Sequence, residues 1–158
     1  MKRLLFSVLV LFFAFAAFAG SDTNKEKKKI LPTLVVNARY VYVTSYDGAE
    51  PNGRVSPEDL RAIATAQDAL REWGRYKIAY RASDADIIML VHTSRPPLAT
   101  GKWEDELAIY DARSGVNSNP LWRQMVDDGL QGPDPQLLRQ FREAVEEAAK
   151  QLPRSRQS

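Results

Sequence analysis

The run Ser83-Asp84-Ala85-Asp86-Ile87-Ile88-Met89-Leu90-Val91 decides the fold. Ser83 to Asp86 are turn formers, and the apolar residues Ile87 to Val91 follow without a polar break, the pattern of a central strand covered on both faces. The strand is expected to continue to about Thr93 or Ser94, where Arg95-Pro96-Pro97 ends it because proline withdraws a ladder donor. A strand of this kind needs neighbours on both edges and cover on both sides.

Those neighbours are readable on either flank. Upstream, Ser56-Pro57-Glu58-Asp59 starts a helix: Ser56 caps the orphan amides, Pro57 suits the first helical position, and Glu58 and Asp59 sit at the positive end of the dipole. Leu60, Ile63, Leu70 and Trp73 recur at helical spacing and Gly74 supplies the stop, which predicts a helix over 57–73. Beyond it Tyr76, Ile78 and Tyr80 alternate with Lys77 and Arg81, as in a half-buried strand. Before the helix, Thr33 to Ser45 are rich in β-branched and aromatic residues and read as one strand, bent near Asn37. Val35, Val41 and Val43 would lie on one side of it, and Leu34, Val36, Tyr40 and Tyr42 on the other.

Downstream, Glu106 to Ala112 and Leu121 to Val126 both alternate and make a hairpin across the polar connection 113–120. Asp134-Pro135 opens a last helix, with Leu138, Phe141, Val145, Ala148 and Leu152 on one face before Pro153. The order is therefore βαββββα. It predicts a single α+β domain over 31–153: a two-layer sandwich, a mixed sheet of about five strands with two helices on one face. The first helix must cross over the sheet, and a right-handed crossover is favoured.

The first residues carry an address instead of a fold. Lys2 and Arg3 precede the apolar run Leu4 to Phe18, which ends in Ala17-Phe18-Ala19 with small residues behind it, the form of a secretory signal over 1–19. At about 15 residues the run falls short of the roughly 20 that span a bilayer. Cleavage near Ala19 would leave a mature chain beginning at Gly20, in the periplasm or secreted, whose contact with a membrane ends at cleavage. No cysteine occurs in the chain, so no lipid anchor is expected, and zinc-thiolate sites, thiol nucleophiles and thiol redox motifs are excluded. Residues 20–30 read as a flexible leader containing Lys27-Lys28-Lys29, and 154–158 as a polar tail.

The formal charge of +2 loses its meaning once the signal is set aside: of 22 Lys and Arg, Lys2 and Arg3 leave with it, and the remaining 20 balance 20 Asp and Glu. Nucleic acid is therefore not an expected partner. Catalytic patterns are also missing, whether a nucleophile elbow, P-loop, dinucleotide glycine pattern or H-E-x-x-H. His92 is the lone histidine, inside the strongest strand, and reads as structural. Asp84 with Asp86, and Glu104-Asp105-Glu106, lack the glycine of a calcium loop and read as solvated turn acids. Neither a catalytic residue, a metal site nor a cofactor is expected. Among the aromatics, Trp73 closes a capped helix and reads as core, Trp103 follows a Pro/Gly loop and is the best candidate of the three for exposure, as a sugar or peptide platform, and Trp122 and Arg123 point to opposite sheet faces, which puts one of them in the core.

Ser83 to Val91, then Leu107-Ala108-Ile109-Tyr110-Asp111-Ala112-Arg113-Ser114-Gly115 and Pro120-Leu121-Trp122-Arg123, resemble a pattern of small bacterial envelope proteins of unknown function: an "A-D" turn, a "D-A-x-x-G" turn and a "W-R" pair. More distantly, they resemble the periplasmic domains of curli-secretion and penicillin-binding-protein-activator lipoproteins. The resemblance implies an envelope domain over about Thr33 to Pro153 and carries no functional residues with it. Those relatives usually hold a lipid-bearing cysteine, which this chain lacks.

The expectation is a non-enzymatic, exported binding or assembly module whose partner is another envelope protein or a second copy. Two rival classes are a small hydrolase using Asp84, Asp86 or Asp111, and a structural homodimer. Tyr40, Tyr42, Trp103 and Tyr110 are the candidate partner surface, on the sheet face opposite the helices. Alternatively, loops 46–55 and 95–103 fold over that face and bury it.

Overall fold

The structure is a computed structural model that describes residues 31–49, 54–94 and 104–152. Its elements are α1 (Thr33–Asn37), β1 (Tyr40–Thr44), α2 (Pro57–Trp73), β2 (Lys77–Ile78), β3 (Ile87–Ser94), β4 (Glu104–Asp111), β5 (Trp122–Asp127) and α3 (Gln136–Gln151). The sheet runs β2-β1-β3-β4-β5. β1 is parallel to both β2 and β3, whereas β3, β4 and β5 form an antiparallel meander. This is the expected α+β sandwich with its five-stranded mixed sheet, and β3 is its centre.

Three helices are present where two were expected, because the first half of the expected first strand is helical. In a strand, Val35 and Val36 would point to opposite faces. A helical turn sends both inward instead, and both are buried in the main core. Pro32 accepts the Val35 amide to start the turn. The carbonyls at its far end are taken by groups from beyond α2: Tyr76 donates to the Val35 oxygen at 2.9 Å and Arg75 to the Val36 oxygen at 2.6 Å. These donors satisfy acceptors that a five-residue helix cannot pair internally.

α2 has the expected limits. Ser56 Oγ accepts the Asp59 amide at 3.0 Å, and Gly74 at φ 70° stops the helix with its N–H on the Leu70 carbonyl. The expected strand 76–80 shrinks to two residues. Tyr80 is 95% exposed, because after Ala79 donates to the Val41 carbonyl the chain leaves the sheet through a 3-10 turn at Ala82–Asp84.

Register sorts the sheet residues. Val41, Val43, Ile87, Met89, Val91, Leu107, Ile109 and Trp122 pack under the helices with Ile63, Leu70 and Phe141. Phe141 meets the rings of Trp73, Tyr76 and Trp122 at centroid distances of 6.1, 6.2 and 5.5 Å. Trp122 and Arg123 point to opposite faces as expected, Trp122 being the one in the core, while Trp73, expected as core, is only half-buried. That other face has a small core of its own, Ile88, Leu90, Ala108 and Tyr110, flanked by Tyr42, Ala82, Ala112 and Val116.

Candidate functional site on the face away from the helices

Alternation along β3 and β4 puts His92 on the same face as Ile88 and Leu90, directly across from Glu106. Both lie near the carboxyl ends of the parallel strands β1 and β3, beside the start of α2. Three further side chains converge there. Asp59, buried in the first turn of α2, accepts the Thr93 amide on Oδ1 at 2.7 Å, and its Oδ2 lies 3.2 Å from His92 Nδ1. A carboxylate only accepts, so the imidazole carries its proton on Nδ1. Tyr46, in the turn after β1, sets its ring edge against His92 at 5.2 Å and directs its hydroxyl at both Glu106 oxygens, each 3.2 Å away. Arg123 of β5 completes the group, with Nε 2.6 Å from Glu106.

The electrostatics follow from this packing. Part-burial, reinforced by the Glu106 carboxylate, pushes the Tyr46 phenol to about 12, so it stays protonated and donates. The buried Glu106 carboxylate is held by one cation and one phenol, which offset its loss of water. The result is two hydrogen-bonded sets, Asp59 with His92 and Thr93 and Glu106 with Tyr46 and Arg123, joined by the contact of the Tyr46 and His92 rings. Among the described residues no hydroxyl is hydrogen-bonded to His92, and no group of three or more His, Cys, Asp or Glu is arranged to hold a metal ion.

The acids singled out in the sequence lie elsewhere and have separate tasks. Asp86 accepts the Arg39 and Tyr40 amides at 2.8 and 3.0 Å, which fastens β1 to the start of β3 and lowers its carboxyl pKa. Asp84 pairs with Arg81 and Ser83, which lower its own. Asp111 accepts the Arg113 amide in the turn after β4. Asp105, expected as a turn acid, is fully buried on the helix side, where burial raises its pKa against the opposing Leu130 amide.

Of the expected partner surface, Tyr40 is 43% exposed and Tyr42 is half-buried at the rim of the second core. Tyr110 is a correction: at 5% exposed it supports the face and offers little to a partner. It packs in the second core with Ile88, its neighbour across the ladder, and Ala112 and Val116 pack against that cluster. Trp103 lies outside the described residues, as does the loop 95–103. The exposed side chains here include Tyr40 beside β2, Tyr46, 51% exposed over the His92 and Glu106 end, and Arg123, Gln124, Met125 and Asp127 along β5. A separate open groove of about 590 Å³ lies between α2 and α3, with Leu70, Trp73, Leu138 and Phe141 at its base and Arg142 over Trp73.

Sequence reasoning missed the role of Asp59, assigning it only to the helix dipole. A signal was available: Asp59 shares the buried stripe of Ile63, Ala66 and Leu70 at helical spacing. No family model matches this chain, and no curated protein matches it. Among solved structures, the chain is similar to the solution structure of an uncharacterised lipoprotein B from Nitrosomonas europaea, at 14% identity and a TM-score of 0.28, covering 72% of this chain and 79% of that one. At that score the likeness carries no inference about role, and it offers no link to curli secretion or penicillin-binding-protein activation. No helix among the described residues is long and apolar enough to cross a membrane.

Proposed function

We propose that this chain is an exported, non-enzymatic binding or assembly module of the bacterial cell envelope that engages its partner along the free edge of β5. The observation that carries the reading is the exposure of β5. It pairs with β4 on one side and no described strand lies beyond it, while Arg123, Gln124 and Met125 in succession, and then Asp127, are exposed. A strand exposed on both faces along an unpaired edge offers backbone hydrogen bonds for strand addition and side chains for selectivity. Export is supported by the basic start, the apolar run Leu4 to Phe18 and the Ala17-Phe18-Ala19 site. The non-enzymatic reading is supported by the local partners of Asp84, Asp86 and Asp111, each engaged in a turn or strand junction.

The test is a photo-crosslinking side chain placed at Met125 in the producing cell, with Tyr80, at the other end of the sheet order, as the control. An adduct from position 125 and none from 80 is the expected result. Absence of any adduct at 125, or equal labelling at both, removes the reading. N-terminal sequencing of the recovered protein should begin at Gly20, and an intact Met1 would remove the exported assignment.

A further inference from the structure

Resting on that reading of the β5 edge, we infer that its partner is a second copy of this chain, joined antiparallel through β5 in the register that places Met125 opposite Met125. The strand's face away from the helices carries Arg123, Met125 and Asp127. Two antiparallel copies related by a two-fold axis normal to the sheet keep this face on one side, so these three residues can oppose only one another. Centring on Arg123 sets cation against cation, and centring on Asp127 sets anion against anion. Centring midway between Arg123 and Met125, or between Met125 and Asp127, leaves a charge opposite a thioether. Centring on Met125 gives Arg123 opposite Asp127 of the second copy, twice by symmetry, around a Met125 pair. The strand is thus self-complementary in a single register.

Two features of the isolated chain agree with this. Asp127 stands directly opposite Glu104 on β4, both exposed, and like charges facing across a ladder repel. A guanidinium from the second copy would lie beside that pair. Arg123 spends Nε on Glu106, while its Nη2 lies 3.6 Å from Met125 Sδ, a weak acceptor that a carboxylate would replace to advantage. Met125 itself is 45% exposed, an apolar side chain at the centre of a charged strand. Pairing would join two five-stranded sheets into one continuous sheet and remove the open edge.

The chain has no cysteine, so Met125→Cys provides a single thiol. Opposed residues of an antiparallel pair have Cα atoms about 4.5–5.5 Å apart, within disulfide range. Full-length Met125→Cys protein should oxidise rapidly to a covalent dimer, and Tyr80→Cys, at a site 95% exposed, should not. Light scattering on the unmodified protein should give twice the mass of one chain. Asp127→Arg should weaken association by roughly thirtyfold, since two attractive pairs become repulsive, and its melting temperature when monomeric should not fall, since the Glu104 repulsion is gone. A single-chain mass at high concentration, cross-linking at 125 no faster than at 80, or an unchanged dimer in Asp127→Arg overturns the inference. If the photo-adduct at 125 contains a different protein, the edge-binding reading stands and the second copy is overturned.

Discussion

Replacing Asp105 by Asn should stabilise this protein at neutral pH, although it removes a carboxylate that accepts two hydrogen bonds. Asp105 is fully buried on the helix side of β4. Its Oδ2 accepts the Leu130 amide at 2.7 Å and, more weakly, Gln131 Nε2 at 3.4 Å. Oδ1 has no hydrogen bond of good geometry, although the Thr93 hydroxyl directly opposite is near enough to help hold the carboxyl pKa down. An amide with its oxygen at the Oδ2 position keeps the Leu130 bond and turns its NH₂ toward Thr93. Exchanging a charged for a neutral acceptor costs about 1 kcal/mol, and relieving the buried charge returns about 2–3 kcal/mol, a net gain of about 1–2 kcal/mol. Burial raises the Asp105 pKa in the folded state, so the folded chain binds the extra proton. Between the unfolded and the folded pKa the native state therefore loses stability as pH rises, and above both the loss is complete. The protonated acid, able to donate to Thr93, resembles the amide. Urea unfolding of Asp105→Asn and the unmodified protein should thus differ most at about pH 7 and converge as pH falls through the carboxyl range. A variant less stable than the unmodified protein by about 1 kcal/mol or more at neutral pH would show that the Leu130 amide more than offsets burial of the charge, and would refute the reasoning.

Three further substitutions test other joints of the structure. Asp59→Ala strands the Thr93 amide and His92 Nδ1 and should cost about 3 kcal/mol, whereas Asp59→Asn keeps the Thr93 acceptor and should cost about 1 kcal/mol; equal losses in urea unfolding would contradict the role given to Oδ1. Tyr110→Ala should cost about 3–5 kcal/mol and Tyr40→Ala less than about 1 kcal/mol, and a reversed order in the same assay would mean that the second core is misassigned. Gly129→Ala places a methyl 2.8 Å from Leu137 Cγ and 2.9 Å from Val126 Cβ where β5 turns toward α3, so thermal melting should report a loss of about 1–3 kcal/mol.

The legible parts of the fold were those in which one local signal had no rival. Ile87 to Val91, a short apolar run bounded by turn formers and prolines, fits a strand covered twice, and the cap, proline and glycine around α2 mark its limits without any help from tertiary contacts. Thr33 to Asn37 failed for the opposite reason. β-branched residues favour strands intrinsically, but the short helix is held by Tyr76 and Arg75, about forty positions away in sequence, and no local propensity encodes those donors. Strand 76–80 is shorter than its pattern implies, because alternation continues through Tyr80 after the ladder with β1 has ended at Ile78.

The site was legible only as parities. Alternation alone places His92 with Leu90 and Glu106 with Ala108, but which face each pair takes, and that the two meet, depends on the β3–β4 register. Asp59 entered from a third element, and its burial is what turns His92 from an isolated histidine into the middle of a connected group. The same group fixes Arg123 through Glu106, and Arg123 is one of the two charges that make β5 complementary to itself. The polar group therefore has a structural consequence that does not require it to perform chemistry. Anchored by Nε, the Arg123 side chain loses much of its rotamer freedom before any partner arrives, and a charge held in place in advance gives up less entropy on pairing than a free one. Loosening Glu106 should accordingly weaken association at β5 without altering a single residue of that strand.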